Sequence, residues 1–221
     1  MKNWVVSSEY NDISFLRERF QAIFTNADNS WDIEAFFNEV KTHYEAPSRH
    51  HHNLQHILEI IKYIDERKDS ITNWQAVQLA IYLHDVIYDV TCIEPWKNEQ
   101  DCIDFSSRKL PILWVTSDII HRVNLHIWDT KTHTPTAELW WDWELFLDGD
   151  LSVLWESPER YREYSDAIRK EFSWVPEGIY NNERAKIMWG FLTREKIFFR
   201  DRAREALARK NISQEIQTLK Q

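Results

Sequence analysis

An imidazole and a carboxylate stand side by side, as His84 and Asp85, in the middle of the apolar run AIYLHDVIYD at residues 80–89. Burying a charged group is costly unless it is paired or coordinates a cation. The pair therefore reads either as a hydrogen-bonded His–Asp couple in a core or as part of a metal site. A metal site needs further ligands. The densest histidine cluster is RHHHN at 49–53, followed by His56. His52 and His56 fall on one helix face if a helix already begins there, although a histidine cluster at a helix start is commonly no more than surface. LDGD at 147–150 adds two carboxylates after an apolar segment, with Asp150 either a ligand or a cap for LSVLW. His121 and His126, in SDIIHRVNLHI, each read alone as core or rim histidines.

Taken together these residues weigh differently. A histidine on one helix, an adjacent His–Asp on a second and a distant Asp offer nitrogen and oxygen donors without a thiolate. That set suits a six-coordinate Mn²⁺, Fe²⁺, Co²⁺ or Mg²⁺ better than a closed structural zinc site, with water in the remaining positions.

The elements that must position them are helical. Amphipathic patterns place helices at 8–25, 31–45, 53–66, 72–88 (capped by Thr72 or Asn73), 97–109 and 113–127. DTKTHTPT at 129–136 reads as a loop, and helices follow at 136–147, 158–173, 179–199 and 202–219. With only three glycines and six prolines, the chain lacks the turn residues of an all-β protein and the clustered glycines of a phosphate cradle. The expectation is an all-α single domain over 1–221, without a Pro/Gly/Ser-rich linker or an internal repeat. The twelve tryptophans, Trp114, Trp174 and Trp189 among them, are expected to pack helices and not to form an aromatic wall for a ligand. Arg200, Arg202, Arg204, Arg209 and Lys210 read as a solvated face interspersed with Asp201 and Glu205.

A net charge of −9 works against stable binding to nucleic acid or an anionic membrane. No segment is apolar for long enough to span a bilayer, and the N-terminal MKNWVVSSEY lacks the apolar core of a secretion signal. Cys92 and Cys102 form no CxxC or zinc-finger pattern, so a reduced cytoplasmic protein is expected. A homo-oligomer is compatible with all of this.

Several ordered motifs resemble those of the predicted metal-dependent phosphohydrolases of the HD superfamily, named for adjacent His–Asp metal ligands. RHHHNLQHI (49–57), YLHDVIYD (82–89), NE (98–99), FLDGDLSVL (146–154), YREYSDAIRKEF (161–172) and ARKNISQEI (208–216) carry the resemblance, which covers the chain from about residue 40 onward. Two positions depart from the pattern: His51 stands where an aromatic is usual, and Glu183 where a glycine precedes Arg184. The resemblance implies an HD-type helical bundle with additional C-terminal helices. It implies His52, His84, Asp85 and Asp150 as ligands of a divalent metal (Mn, Fe, Co or Ni, with Mg an alternative), and His56 and His126 as pocket histidines. Arg49, Arg169 and Arg184 fall in matched motifs and could grip phosphate oxygens, or instead pair with carboxylates such as Glu171 or Glu183. Asp148 and Asp89 read as supporting or capping groups.

The implied activity is hydrolysis of a nucleotide or other small phosphorylated metabolite by a metal-activated water. Asp85 would accept a proton from the water, and His56 or His126 would protonate the departing oxygen. Two competing expectations are an HD-type di-iron oxygenase, resembling myo-inositol oxygenase and using His121 or His126 as extra ligands, and a nucleotide-binding sensor without turnover.

Overall fold

The computed structural model describes residues 13–24, 30–134 and 140–220, and these are helical with no strand among them. The centre is α4 (Trp74–Leu83), in which every residue from Ala76 to Leu83 is buried. A helix apolar on all sides must be enclosed by others. On one side lie α3 (Leu54–Asp65) and α7 (Trp140–Asp150), and on another α6 (Ser117–Thr130), itself packed on α5 (Lys97–Lys109). Helix α3 turns Ile57, Ile60, Ile61 and Ile64 inward, and each such burial contributes roughly 1.5–3 kcal/mol. Its start is fixed by Asn53, whose side chain accepts from the Gln55 N–H at 2.8 Å. Asn73 caps α4 in the same way, and Asp142 of α7 accepts from the backbone N–H groups of Thr72 and Asn73 at 2.7 and 2.6 Å.

α1 (Ile13–Ala22) and α2 (Ser30–Tyr44) pack on each other at the N-terminal end, and α8 (Pro158–Glu171), α9 (Glu177–Thr193) and α10 (Glu205–Leu219) complete the body. α10 packs along α9 and on the short 3₁₀ turn Leu151–Trp155. Arg184 of α9 and Glu215 of α10 form a buried ion pair at 2.8 Å.

Three expectations are corrected here. The helix read through Tyr88 ends at Leu83, with His84 as its C-cap. Arg49 donates to the carbonyls of Asp85 (2.6 Å) and Val86 (2.9 Å), so these groups leave the helical ladder without being orphaned. The helix read over 179–199 stops at Thr193, and Arg194 to Asp201 run irregularly into α10. Trp114, Trp174 and Trp189 are exposed and do not pack helices. Trp114 terminates a 3₁₀ turn in the left-handed region (φ 58°) that carries its side chain outward. Trp143 and Trp155, by contrast, are buried as expected. The helix expected at 136–147 and the end of the 129–136 loop lie partly outside the described residues; α6 itself continues to Thr130.

Candidate metal centre

Three helices bring one side chain each to a common point. His56 lies in the first turn of α3, His84 caps α4, and Asp150 is the last residue of α7. His56 Nε2 is 3.2 Å from His84 Nε2 and 3.1 Å from Asp150 Oδ1, and His84 Nε2 is 3.5 Å from the same oxygen. Asp85 joins from the turn after α4, its Oδ2 3.2 Å from His84 Nε2. His56 and His84 are buried, so the charges meet in a low-dielectric pocket.

The electrostatics follow from that crowding. Burial works against ionising Asp85, but the His84 imidazole outweighs it and holds the carboxyl well below the usual carboxylate range. Asp150 behaves alike: burial raises it, and His133, His56 and His84 together bring it far down. Burial in turn lowers the proton affinity of His84, and the two aspartates reverse this and raise it well above its ordinary value. His84 Nδ1 lies 3.0 Å from the carbonyl of Ile81, which can only accept, so Nδ1 carries a hydrogen and Nε2 is the nitrogen turned to the cluster.

Ligands about 2.1 Å from one ion lie roughly 3.0 Å apart when octahedral and about 3.4 Å apart when tetrahedral. The observed separations of 3.1, 3.2 and 3.5 Å lie close to that range. Two carboxylates and two imidazoles converging without a thiolate are a donor set that fits a divalent cation. The described residues thus contain a His56–His84–Asp150 group able to hold a metal ion.

Two supports were not visible in the sequence. His133 reaches the other Asp150 oxygen, Nε2 to Oδ2 at 3.2 Å, from a backbone in the left-handed region (φ 47°). Arg194 steadies this segment by donating to the carbonyls of Thr132 (2.9 Å) and His133 (3.3 Å). Glu171, the last residue of α8, accepts from the backbone N–H groups of His50, His51 and His52 at 2.8, 2.7 and 3.0 Å. Its second oxygen meets His52 Nδ1 at 2.8 Å. Burial alone would raise Glu171, but His52 and these N–H groups hold it below its ordinary value. His133 sits in a loop without periodicity, and the partners of Glu171 are mainly backbone groups, which leave no mark on sequence.

Several assignments change place. His52 was expected as a ligand and His56 beside it; it is His56 that meets His84 and Asp150. The reason is local: Asn53 starts α3, so His52 lies outside the helix, stacked on Tyr88 at 4.0 Å and tied to Glu171. His126 is not in the cluster. It is buried against Trp143 and Phe146 (5.1 and 5.3 Å), and burial pushes its proton affinity down to about 3. A proton donor at neutral pH needs the opposite shift. His121 is exposed on α6.

Two of the three expected phosphate-binding arginines, Arg49 and Arg184, are buried and engaged within the fold, and the half-buried Arg169 is spent in part on backbone carbonyls. Arg49 staples His52 to the turn after α4 through carbonyls, while stacked on Tyr44. Arg169 closes the end of α8 through the carbonyls of Phe172 and Val175. Arg184 is buried on Glu215 and the Tyr164 hydroxyl, neither Glu171 nor Glu183 being its partner. Asp148 and Asp89 do support backbone: Asp148 accepts from the N–H groups of Phe199, Arg200 and Asp201, and Asp89 from that of Thr91.

No protein-family model, curated protein or solved structure matches this chain.

Proposed function

We propose that this chain is a metal-dependent hydrolase of small phosphate esters, built on an HD-type bundle. The observation that carries the reading is the meeting of His56, His84 and Asp150 within 4.8 Å in a buried, thiolate-free pocket. These three, with Asp85 alongside, would hold a divalent transition ion. Bound there, the ion supplies Lewis acidity toward a phosphoryl oxygen and an attacking water.

The protein's own contributions are distinct. Asp85 is ionised throughout the neutral range, so it can accept a hydrogen bond from the nucleophile and orient it. His133, with a partly exposed side chain, meets the outer oxygen of Asp150 and, in this reading, would hand a proton to a leaving oxygen. It takes the part expected of His126. Glu171 keeps the His50–His52 turn closed beside the cluster. Cys92 and Cys102 are free thiols, which agrees with a reducing, cytoplasmic setting. No helix of the described residues is long and apolar enough to cross a membrane.

The test is phosphate release from a panel of sugar phosphates and nucleotides with Mn²⁺, Co²⁺, Fe²⁺ or Mg²⁺, counting bound metal in wild type, Asp85→Ala and Asp150→Ala. Expected is metal-dependent turnover, with both aspartate variants losing metal and at least about a hundredfold in rate. Full activity in chelated protein overturns the reading. His133 favours one second reading, because it gives the cluster a further imidazole: an HD-type di-iron oxygenase. Oxygen uptake by iron-loaded protein that releases no phosphate would decide for it.

A further inference from the structure

With Arg49 and Arg184 buried inside the fold, a guanidinium that holds a substrate phosphate beside the metal centre must come from elsewhere. A cleft of about 330 Å³ opens between α3 and α8 and is lined by His56 itself. Among the described residues lining it, Arg160 is the one guanidinium or ammonium group. Its Nε and Nη2 both rest on the same Glu59 oxygen, at 3.2 and 2.6 Å. Nη1 has only a 3.8 Å approach to Glu163, and the side chain is 29% exposed. A guanidinium has five N–H donors, so most of this fork is left for an anion.

The remainder of the wall is also informative. Gln55, Glu59 and Glu163 offer oxygen acceptors suited to hydroxyl groups. No Trp, Tyr or Phe lines the cleft among the described residues. The His51 ring is already occupied by His52, His56 and Tyr164, at 4.8, 4.8 and 4.7 Å. A nucleobase gains its affinity from a broad aromatic face or an apolar slot, and this wall offers only the small exposed imidazole of His50. The volume lies at the small end of ligand pockets.

We infer that the substrate is a compact polyol or sugar monophosphate held by Arg160, and not a nucleotide recognised through its base. The inference rests on the hydrolase reading for the fate of the phosphate, but its test is one of binding. Ribose phosphate and adenosine monophosphate share sugar and phosphate and differ by the base. Their affinities for the full chain are measured by calorimetry, with chelator and again with Mn²⁺.

Expected are dissociation constants within about threefold of each other, both weakened about tenfold or more by Arg160→Gln and partly restored in Arg160→Lys. Arg160 also joins α8 to α3, so a second variant is needed that leaves this link intact. Ala167→Phe adds bulk to the cleft wall on a half-buried face of α8. It should weaken both ligands by about tenfold at unchanged metal content and unfolding midpoint. Three results overturn the inference: adenosine monophosphate binding about tenfold tighter than ribose phosphate, no binding of ribose phosphate, or affinities unmoved by both Arg160→Gln and Ala167→Phe. Binding as expected without phosphate release from any compound would remove the hydrolase reading and leave the cleft assignment standing.

Discussion

Two carboxylates, Asp148 and Asp150, show how direction decides role. Asp150 points into the histidines, whereas Asp148 points to the segment before α10 and accepts from three successive N–H groups at 2.7, 2.7 and 3.0 Å. Burial is the larger influence on Asp148 and pushes its carboxyl up to about 6, although those N–H groups pull the other way. A carboxyl raised from 3.8 to about 6 holds its proton more tightly folded than unfolded. Its contribution is therefore fully present below pH 3.8 and lost as pH rises through about 6. At about 1.4 kcal/mol per unit, the loss is on the order of 3 kcal/mol. In urea titrations, the stability of wild type relative to Asp148→Asn is expected to fall by that order between acid and neutral pH. A flat difference would show that the N–H groups cancel the effect of burial, and a rise that they dominate it.

At the scale of elements, the close approach of α7 to α3 depends on Gly149. A Cβ built there would lie 2.9 Å from Tyr63 Cδ1 and 3.4 Å from Ile60 Cγ2. Tyr63 is itself anchored by its hydroxyl to Asp201, so the ring cannot simply swing away. Gly149→Ala should push the end of α7 outward and carry Asp150 from His56. The expected result is a loss of about 1–3 kcal/mol in stability and of about tenfold or more in metal affinity, read by thermal unfolding and metal titration. Helices and ligands differ in how far sequence disclosed them. The scarcity of glycine and the 3.6-residue periodicity were enough for an all-helical chain, and the His–Asp step in an apolar run marked one wall of the cluster. The start of the 53–66 helix was legible too, but not its consequence: with Asn53 as cap, His52 lies outside α3 and His56 inside it. The arginines misled for a related reason, since a guanidinium bound to backbone carbonyls looks in sequence like one awaiting phosphate.

Across the whole molecule, the C-terminal helices hold the site from behind. Glu215 gathers Arg184, Ser165 and the Tyr161 hydroxyl. Arg184 in turn holds Tyr164, whose ring packs on His51. Removing one partner of a buried pair strands the other, so Arg184→Met is expected to cost about 3–5 kcal/mol. Arg184→Met with Glu215→Leu should recover part of that in denaturant unfolding. Equal losses in the single and double variants would mean that Tyr161 and Ser165, not the ion pair, set the strength of this link.

Glu171 closes the His50–His52 turn from 119–121 residues further along the chain. During synthesis at roughly 5–20 residues per second, the histidines leave the ribosome several seconds before the carboxylate that fixes them. Until α8 emerges, this turn lacks the carboxylate that closes it. The His50–His52 turn beside the cluster is therefore set only after most of the chain has been made.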